Sequence, residues 1–258
     1  MWHAVLMKVL ITGASSGIGR ELAKLLAAQY DQMVLVGRNQ ERLTALQQEI
    51  MAAYPAVNVT TVSLDLGVAD NVRALHAMHP DVDLLVNNAG FGDFGKFTTT
   101  DLNQDLAMIN TNVVALHILT KLYLIDMQAR NHGHILNVGS IAGFMAGPLM
   151  STYYATKNYV VRLSEGIREE LRRRKSKVKI SVLCPGPVAT NFPVAANVKF
   201  NFKGVSAAKV AAYTVKHLNR FYIVPTAKIR LARFAMGLLP STWVARIIYK
   251  IQAKRQKA

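Results

Sequence analysis

The chain has 258 residues, of which 51% are hydrophobic and 18% charged. That excludes a disordered chain and leaves ample material for one sizeable buried core. A single cysteine, Cys184, excludes an intrachain disulfide and a cysteine-based zinc site. The formal net charge of +16 is unevenly spread: residues 1–170 hold 12 basic and 15 acidic groups, residues 171–258 hold 19 basic and none acidic.

Short apolar runs alternate with helical periodicity along most of the chain. Val9–Ile11 predicts a strand, followed by a glycine turn and a helix over Arg20–Tyr30 with Leu22, Leu25 and Leu26 at helical spacing. Met33–Val36 predicts a second strand, and residues from about Gln40 to Ala53 a helix. Strands at Val57–Leu64 and Asp83–Val86 flank a short helix at Asp70–Met78. A long helix over Leu102–Gln128, a strand at His134–Val138, a second long helix at Tyr153–Arg174 and a strand at Val178–Leu183 follow. Unbroken apolar strands joined by helical crossovers predict a doubly wound, Rossmann-type α/β parallel sheet with helices on both faces. Residues Phe192–Val205 read as irregular, with basic-faced helices from there to the end.

The N-terminus has no Lys or Arg ahead of an apolar run and no cleavage-site pattern, so the expected compartment is the cytoplasm. Met7 opens an alternative start, Met7-Lys8-Val9. The longest uncharged stretch, Asn131–Thr156, is broken by Asn137, Ser140, Gly143 and Pro148 and does not read as a membrane span; Phe234–Ala245 is too short for one.

Gly13, Ser15, Ser16, Gly17, Ile18 and Gly19 lie between the first strand and the first helix. Glycines there permit a tight turn, and the N–H groups of the helix start favour a pyrophosphate. The second strand ends in Gly37-Arg38 where an acidic residue would accept a ribose 2′-hydroxyl and repel a 2′-phosphate. A guanidinium pairs with phosphate, so NADP(H) is favoured over NAD(H), the alternative being that Arg38 begins a solvated helix. Asp65 ends the third strand, placed to accept from an adenine amino group, and Asn87, Asn88, Ala89 and Gly90 end the fourth, on the adenosine side.

Ser140 follows the fifth strand, Tyr153 lies thirteen residues on, and Lys157 four beyond that. Tyrosine and lysine at this spacing share a helix face. An ammonium stabilises tyrosinate and moves the phenol toward useful acid–base chemistry, and a serine hydroxyl beside it can hold a carbonyl oxygen. Asn112, inside the long helix, is placed to organise a water leading from Lys157 to solvent.

With Thr12–Gly19, Asp65, Asn87–Gly90, Asn112, Ser140, Tyr153, Lys157 and Pro185–Thr190 in place, the chain resembles a short-chain dehydrogenase/reductase over about residues 7–190. The resemblance implies Tyr153 as general acid/base, Lys157 on the nicotinamide ribose, Ser140 on the substrate oxygen and Asn112 in a proton relay. It implies Pro185, Gly186, Val188 and Thr190 at the nicotinamide end. Residues 1–190 would form the dinucleotide-binding and catalytic core, and residues 191–258 a substrate-covering segment and basic helical tail of the same domain. Only Tyr153, not Tyr154, has a lysine four residues on; Thr111-Asn112-Val113 fits the family pattern better than Asn110. One departure is Ser16, where NADP-preferring relatives often carry a basic residue, so Arg38 alone supports that cofactor. A catalytically silent cofactor-binding protein of the same fold is the alternative.

In this fold the segments 92–97, 142–150 and 192–202 build the substrate pocket, and here they and their flanks offer Phe91, Phe94, Phe97, Phe144, Met145, Leu149, Met150, Phe192, Phe200 and Phe202. The expected substrate is an apolar carbonyl or alcohol: fatty-acyl, steroid-like or another bulky ketone. Further copies of the chain are expected as partners, and nucleic acid is not, because no aromatic-interleaved basic motif appears. The seven histidines show no ligand spacing, Cys184 reads as packed, and Arg172–Lys175 suits a helix C-terminus. In the tail, Val244, Ile247, Ile248 and Ile251 form an apolar stripe beside Arg246, Lys250, Lys254 and Lys257. Such a helix packs on its own domain, meets another subunit or lies on anionic lipid.

Overall fold

The computed structural model describes residues 6–189 and 204–254. Strands β1 (Lys8–Thr12), β2 (Gln32–Gly37), β3 (Asn58–Ser63), β4 (Leu84–Asn87), β5 (His134–Val138) and β6 (Lys179–Leu183) fall where the apolar runs predict them. Together with β9 (Tyr222–Ile223) they form a seven-stranded parallel sheet in the order β3-β2-β1-β4-β5-β6-β9. A separate parallel ladder joins β7 (Val188–Ala189) to β8 (Val205–Ser206).

Alternation within one strand explains why both faces are apolar. Val9 and Ile11 of β1 point to one core, shared with Leu22 and Leu26 of α1 (Gly17–Leu26), Leu43, Leu46 and Ile50 of α2 (Gln40–Ala53), and Val210 of α7 (Ala207–Lys216). Leu10 points to the other, shared with Val72 and Leu75 of α3 (Ala69–Met78), Leu119 and Tyr123 of α5 (Leu116–Ala129), and Leu171 of α6 (Ser151–Arg173). A strand buried on both faces has no polar side to show, hence the unbroken Val-Leu-Ile run. Each such buried aliphatic side chain contributes about 1.5–3 kcal/mol over its exposed state. Because β1 pairs with β2 on one side and β4 on the other, the chain reverses direction across the sheet there, opening a crevice at the strands' carboxyl ends.

The long helix predicted over Leu102–Gln128 is present as α4 (Leu102–Ile109) and α5, joined by a wider π turn at Asn110–Ala115. By length and composition this run is apolar enough to cross a membrane, but its stripe Ala115, Leu119, Tyr123 and Met127 is packed in the second core. A short 3-10 turn, Ile141–Phe144, follows β5.

The C-terminal part adds α8 (Ala227–Gly237) and α9 (Ser241–Ala253). Val244 and Ile248 pack on Met145, with Ile141, Phe144, Tyr154 and Met236 around them. The tail stripe is thus divided. Ile247 and Ile251 are exposed, and the third buried position is Gln252. The core meets the 244–248–252 row, one residue step round the helix from the 247–251 row.

Candidate active site

The glycine turn is held from behind. Asn88 donates its side-chain Nδ2 to the carbonyls of Thr12 (2.9 Å) and Gly13 (3.1 Å). The Thr12 hydroxyl accepts from the N–H groups of Asn88 (2.9 Å) and Ala89 (3.0 Å). The Asn88 amide, expected on the adenosine side, therefore braces the turn, a partnership that residue spacing does not reveal. Gly13 and Gly17 adopt left-handed φ values of +65° and +57°. A Cβ on Gly13 would lie 2.8 Å from Asn88 Nδ2, and one on Gly19 would overlap the Gly13 carbonyl, so helix and turn approach too closely for any side chain.

Helix α1 begins at Gly17 on Ser16, whose side chain makes no capping bond, and its first turn carries no acidic residue. First-turn N–H groups and the positive end of the helix dipole thus face the crevice, a chemistry that suits the pyrophosphate of a dinucleotide. Ser15 sits under Gly37, whose added Cβ would be 3.2 Å from Ser15 Oγ, and Ile18 packs against the first core. Arg38 is exposed at the end of β2, and its carbonyl accepts from Ser63 Oγ (3.2 Å). Asp65 is exposed too, with one carboxylate oxygen accepting from Gly67 N (2.8 Å).

Asn112 lies in the π turn and is almost fully buried. Its Oδ1 accepts from Phe91 N (3.0 Å), and its Nδ2 donates to Phe91 O (2.8 Å) and to Thr156 Oγ1 (3.1 Å). Thr156 in turn donates to the Tyr153 carbonyl (2.7 Å). The side chain clamps the loop after β4 to α6, and a π turn at this point is a common mark of a functional site. The role of Thr156 was not visible in the sequence, where it is one more helical threonine.

Ser140, Tyr153 and Lys157 come together where β5 ends and α6 begins. Tyr153 is hydrogen-bonded to the Ser140 side chain. Lys157 Nζ donates to the Val138 carbonyl (3.0 Å) and stands 5.9 Å from the centre of the Tyr153 ring. The backbone of Gly90 closes on the pair: a Cβ there would be 2.8 Å from Asn112 Oδ1 and 3.5 Å from Lys157 Nζ.

Burial decides the titration of both groups, contrary to the expectation that the ammonium lowers the phenol. It pushes Tyr153 up to about 12, against the lowering effect of the Ser140 hydrogen bond. It pushes Lys157 down to about 8, so the lysine charge is itself disfavoured here. Tyr154 points elsewhere: Gln252 Nε2 donates to its hydroxyl, and a Cβ on Gly147 would fall within its ring.

Pro185 accepts from Ile141 N (2.9 Å), fastening the turn after Ser140 to the end of β6. Gly186 faces Ile229 of α8, 2.9 Å from an added Cβ, and Val188 pairs with Val205. Thr190, Phe192, Phe200 and Phe202 lie outside the described residues. Cys184 is buried, with its thiol pushed up to about 12 by that burial. His76 meets Asp126 (2.6 Å), His117 meets Tyr159 (2.7 Å) and His134 meets Ser181 (2.9 Å), which are local structural pairings.

The two loops proposed for the substrate pocket touch, Gly95 N donating to Leu149 O (2.9 Å). Leu149 holds a left-handed φ of +67°, a conformation unfavourable for its side chain. Phe97 faces solvent, whereas Phe144 lies against Tyr222 and Arg233 and Met145 is covered by α9, so the last two pack inside the protein.

The fold and this arrangement define a class. Residues 7–199 match the short chain dehydrogenase family. A bovine dehydrogenase/reductase, SDR family member 7B, is 34% identical over 191 residues, covering 71% of this chain and 58% of that one. Among solved structures, a short-chain dehydrogenase from Sphingobium yanoikuyae in complex with NADPH superposes with a TM-score of 0.82 at 26% identity, covering 90% of this chain and 92% of that one. A short chain dehydrogenase/reductase from Burkholderia phymatum in complex with NAD gives 0.79 at 27% identity, covering 92% and 96%. The chain belongs to the short-chain dehydrogenase/reductase family of oxidoreductases.

Proposed function

We propose that the protein is an NADP(H)-dependent oxidoreductase that interconverts a carbonyl and an alcohol on a bulky apolar substrate, with Tyr153 as general acid/base. The observation that carries this is the Ser140–Tyr153 hydrogen bond with the buried Lys157 beside it, backed by the Gly90 loop. The nicotinamide, when bound, supplies or accepts the hydride. The turn from Gly13 to Gly19 would hold its pyrophosphate, and Arg38, at a strand end with no carboxylate, would hold a 2′-phosphate. Relatives bound to NADPH and to NAD leave that choice to this side chain. In reduction, Ser140 holds the substrate oxygen and the Tyr153 hydroxyl gives it a proton as negative charge develops there. The Lys157 ammonium then offsets the charge on the phenolate until the proton is replaced. In oxidation the proton runs the other way. Phe91, Phe94 and Leu149, on the two touching loops, support an apolar substrate over a charged one.

The test is steady-state turnover over a panel of bulky ketones and alcohols with both cofactors. Tyr153→Phe is expected to lower turnover at least about a hundredfold, the lower end of general acid–base catalysis, while keeping cofactor affinity. Wild-type protein that binds the cofactor but turns over none of the panel would favour the silent binding protein instead.

A further inference from the structure

Helices α8 and α9 present apolar side chains to solvent in rows. On α8, Leu231, Phe234 and Leu238 recur at helical spacing and are 69%, 68% and 72% exposed, and none of the helix's residues is buried. On α9 three rows lie side by side. Val244, Ile248 and Gln252 face the core. Trp243, Ile247 and Ile251 form the next row and are exposed, Trp243 by 58%. Arg246, Lys250 and Lys254, all exposed, form the row beyond. Lys228 and Arg230 add exposed cations on α8, and no Asp or Glu occurs in the sequence after Glu170. A run of exposed large apolar groups bordered by charge of one sign marks an interaction face.

The chemistry selects among occupants. A second copy would bring the same cations to the same interface, where like charges repel. Nucleic acid supplies phosphates, yet leaves Leu231, Phe234, Leu238 and Trp243 nothing apolar to enter. An anionic bilayer supplies both, hydrocarbon beneath and negative head groups at the rim. With 11 and 13 residues, α8 and α9 are too short to span it. We propose that α8 and α9 form a peripheral docking face for an anionic lipid surface, with Leu231, Phe234, Leu238, Trp243 and Ile247 entering the interface and Arg246, Lys250 and Lys254 meeting the head groups.

The full-length protein is mixed with phosphatidylcholine vesicles and with vesicles that also contain phosphatidylglycerol. Co-sedimentation is read at about 0.1 M and about 1 M salt, where screening differs severalfold. In a Trp2→Phe background the remaining tryptophan, Trp243, reports burial by a blue shift of its emission. The expected result is binding to the anionic vesicles at least about tenfold tighter than to neutral ones at low salt, weakened at high salt, with the blue shift. Arg246→Glu with Lys250→Glu, and separately Leu231→Ser with Phe234→Ser, each weaken binding about tenfold or more. All four positions are outside the core, and unchanged melting temperatures verify that the variants fold. Absence of binding to anionic vesicles at low salt overturns the proposal. So does binding indifferent to the Leu231→Ser and Phe234→Ser pair. A self-association that this pair abolishes, with vesicles ignored, gives the face to a second copy.

Discussion

Gln252, in the last described turn of α9, donates its side-chain amide to the Tyr154 hydroxyl at 2.9 Å across 98 residues of chain, and the same nitrogen lies 3.7 Å from the Met150 sulfur. Tyr154 is the neighbour of Tyr153, their ring centres 6.0 Å apart. The C-terminal helix is therefore fastened by a buried polar contact to the turn of α6 that carries the proposed acid/base. Gln252 itself is buried, so its amide depends on this partner for a hydrogen bond that water does not supply.

Replacing Gln252 with leucine keeps an apolar volume and removes the donor. Stability is expected to fall by about 1–3 kcal/mol, the range for disturbing a buried hydrogen-bond partner. Denaturant unfolding of the two proteins measures it through the shift of the midpoint at constant slope. An unchanged midpoint would mean that α9 contributes nothing at this contact.

Arg38 governs the second prediction. It is exposed at the end of β2, beside the Gly37 position where a carboxylate would exclude a 2′-phosphate. A hydrogen bond to a charged phosphate contributes about 1.5–3 kcal/mol, or roughly ten- to a hundredfold in affinity. Calorimetric titration of Arg38→Ala is expected to show that loss for NADP(H) and little change for NAD(H). Equal affinity of wild type for the two cofactors would show that the strand end does not read the phosphate.

The sheet was legible because its strands are buried on both sides. Val9–Ile11 and Met33–Val36 are unbroken apolar runs, and only a parallel strand with helices on each face demands that. The added edge strand Tyr222–Ile223 was not legible, since two residues make no pattern. The spacing of Ser140, Tyr153 and Lys157 showed which side chains meet, but not how dry the place is. Their titration therefore runs opposite to expectation: the spacing shows that lysine and phenol are neighbours, but not that burial outweighs every other influence on them. In the tail, periodicity showed an apolar stripe but not its rotation. That depends on where Met145, Met150 and Tyr154 lie, far away in the sequence, and it left Ile247 outside and brought Gln252 inside.

The burial of Lys157 has a consequence for stability that can be measured. Its ordinary value is 10.5, and burial lowers it to about 8. Between about pH 8 and 10.5 the unfolded chain holds a proton on this side chain that the folded protein has released, so stability rises with pH through that window; below about 8 both forms are protonated and the penalty is constant. At 1.36 kcal/mol per pKa unit the whole rise is about 3 kcal/mol. Tyr153 works in the opposite sense at higher pH. With its value raised from 10.0 to about 12, the folded protein keeps a proton the unfolded chain loses between those limits, and stability falls. Comparison with Lys157→Met isolates the lysine, because Tyr153 is present in both proteins and the variant removes the titrating amine together with its bond to the Val138 carbonyl. Denaturant unfolding at pH 7 and pH 10 is expected to show the stability difference moving in favour of the wild type by about 2–3 kcal/mol as pH rises. The variant should also lose turnover at both pH values if Lys157 offsets the phenolate charge. A stability difference that stays constant from pH 7 to 10 would show that the ammonium is as well accommodated inside the protein as in water, and the proposed acid–base balance of the site would have to be redrawn.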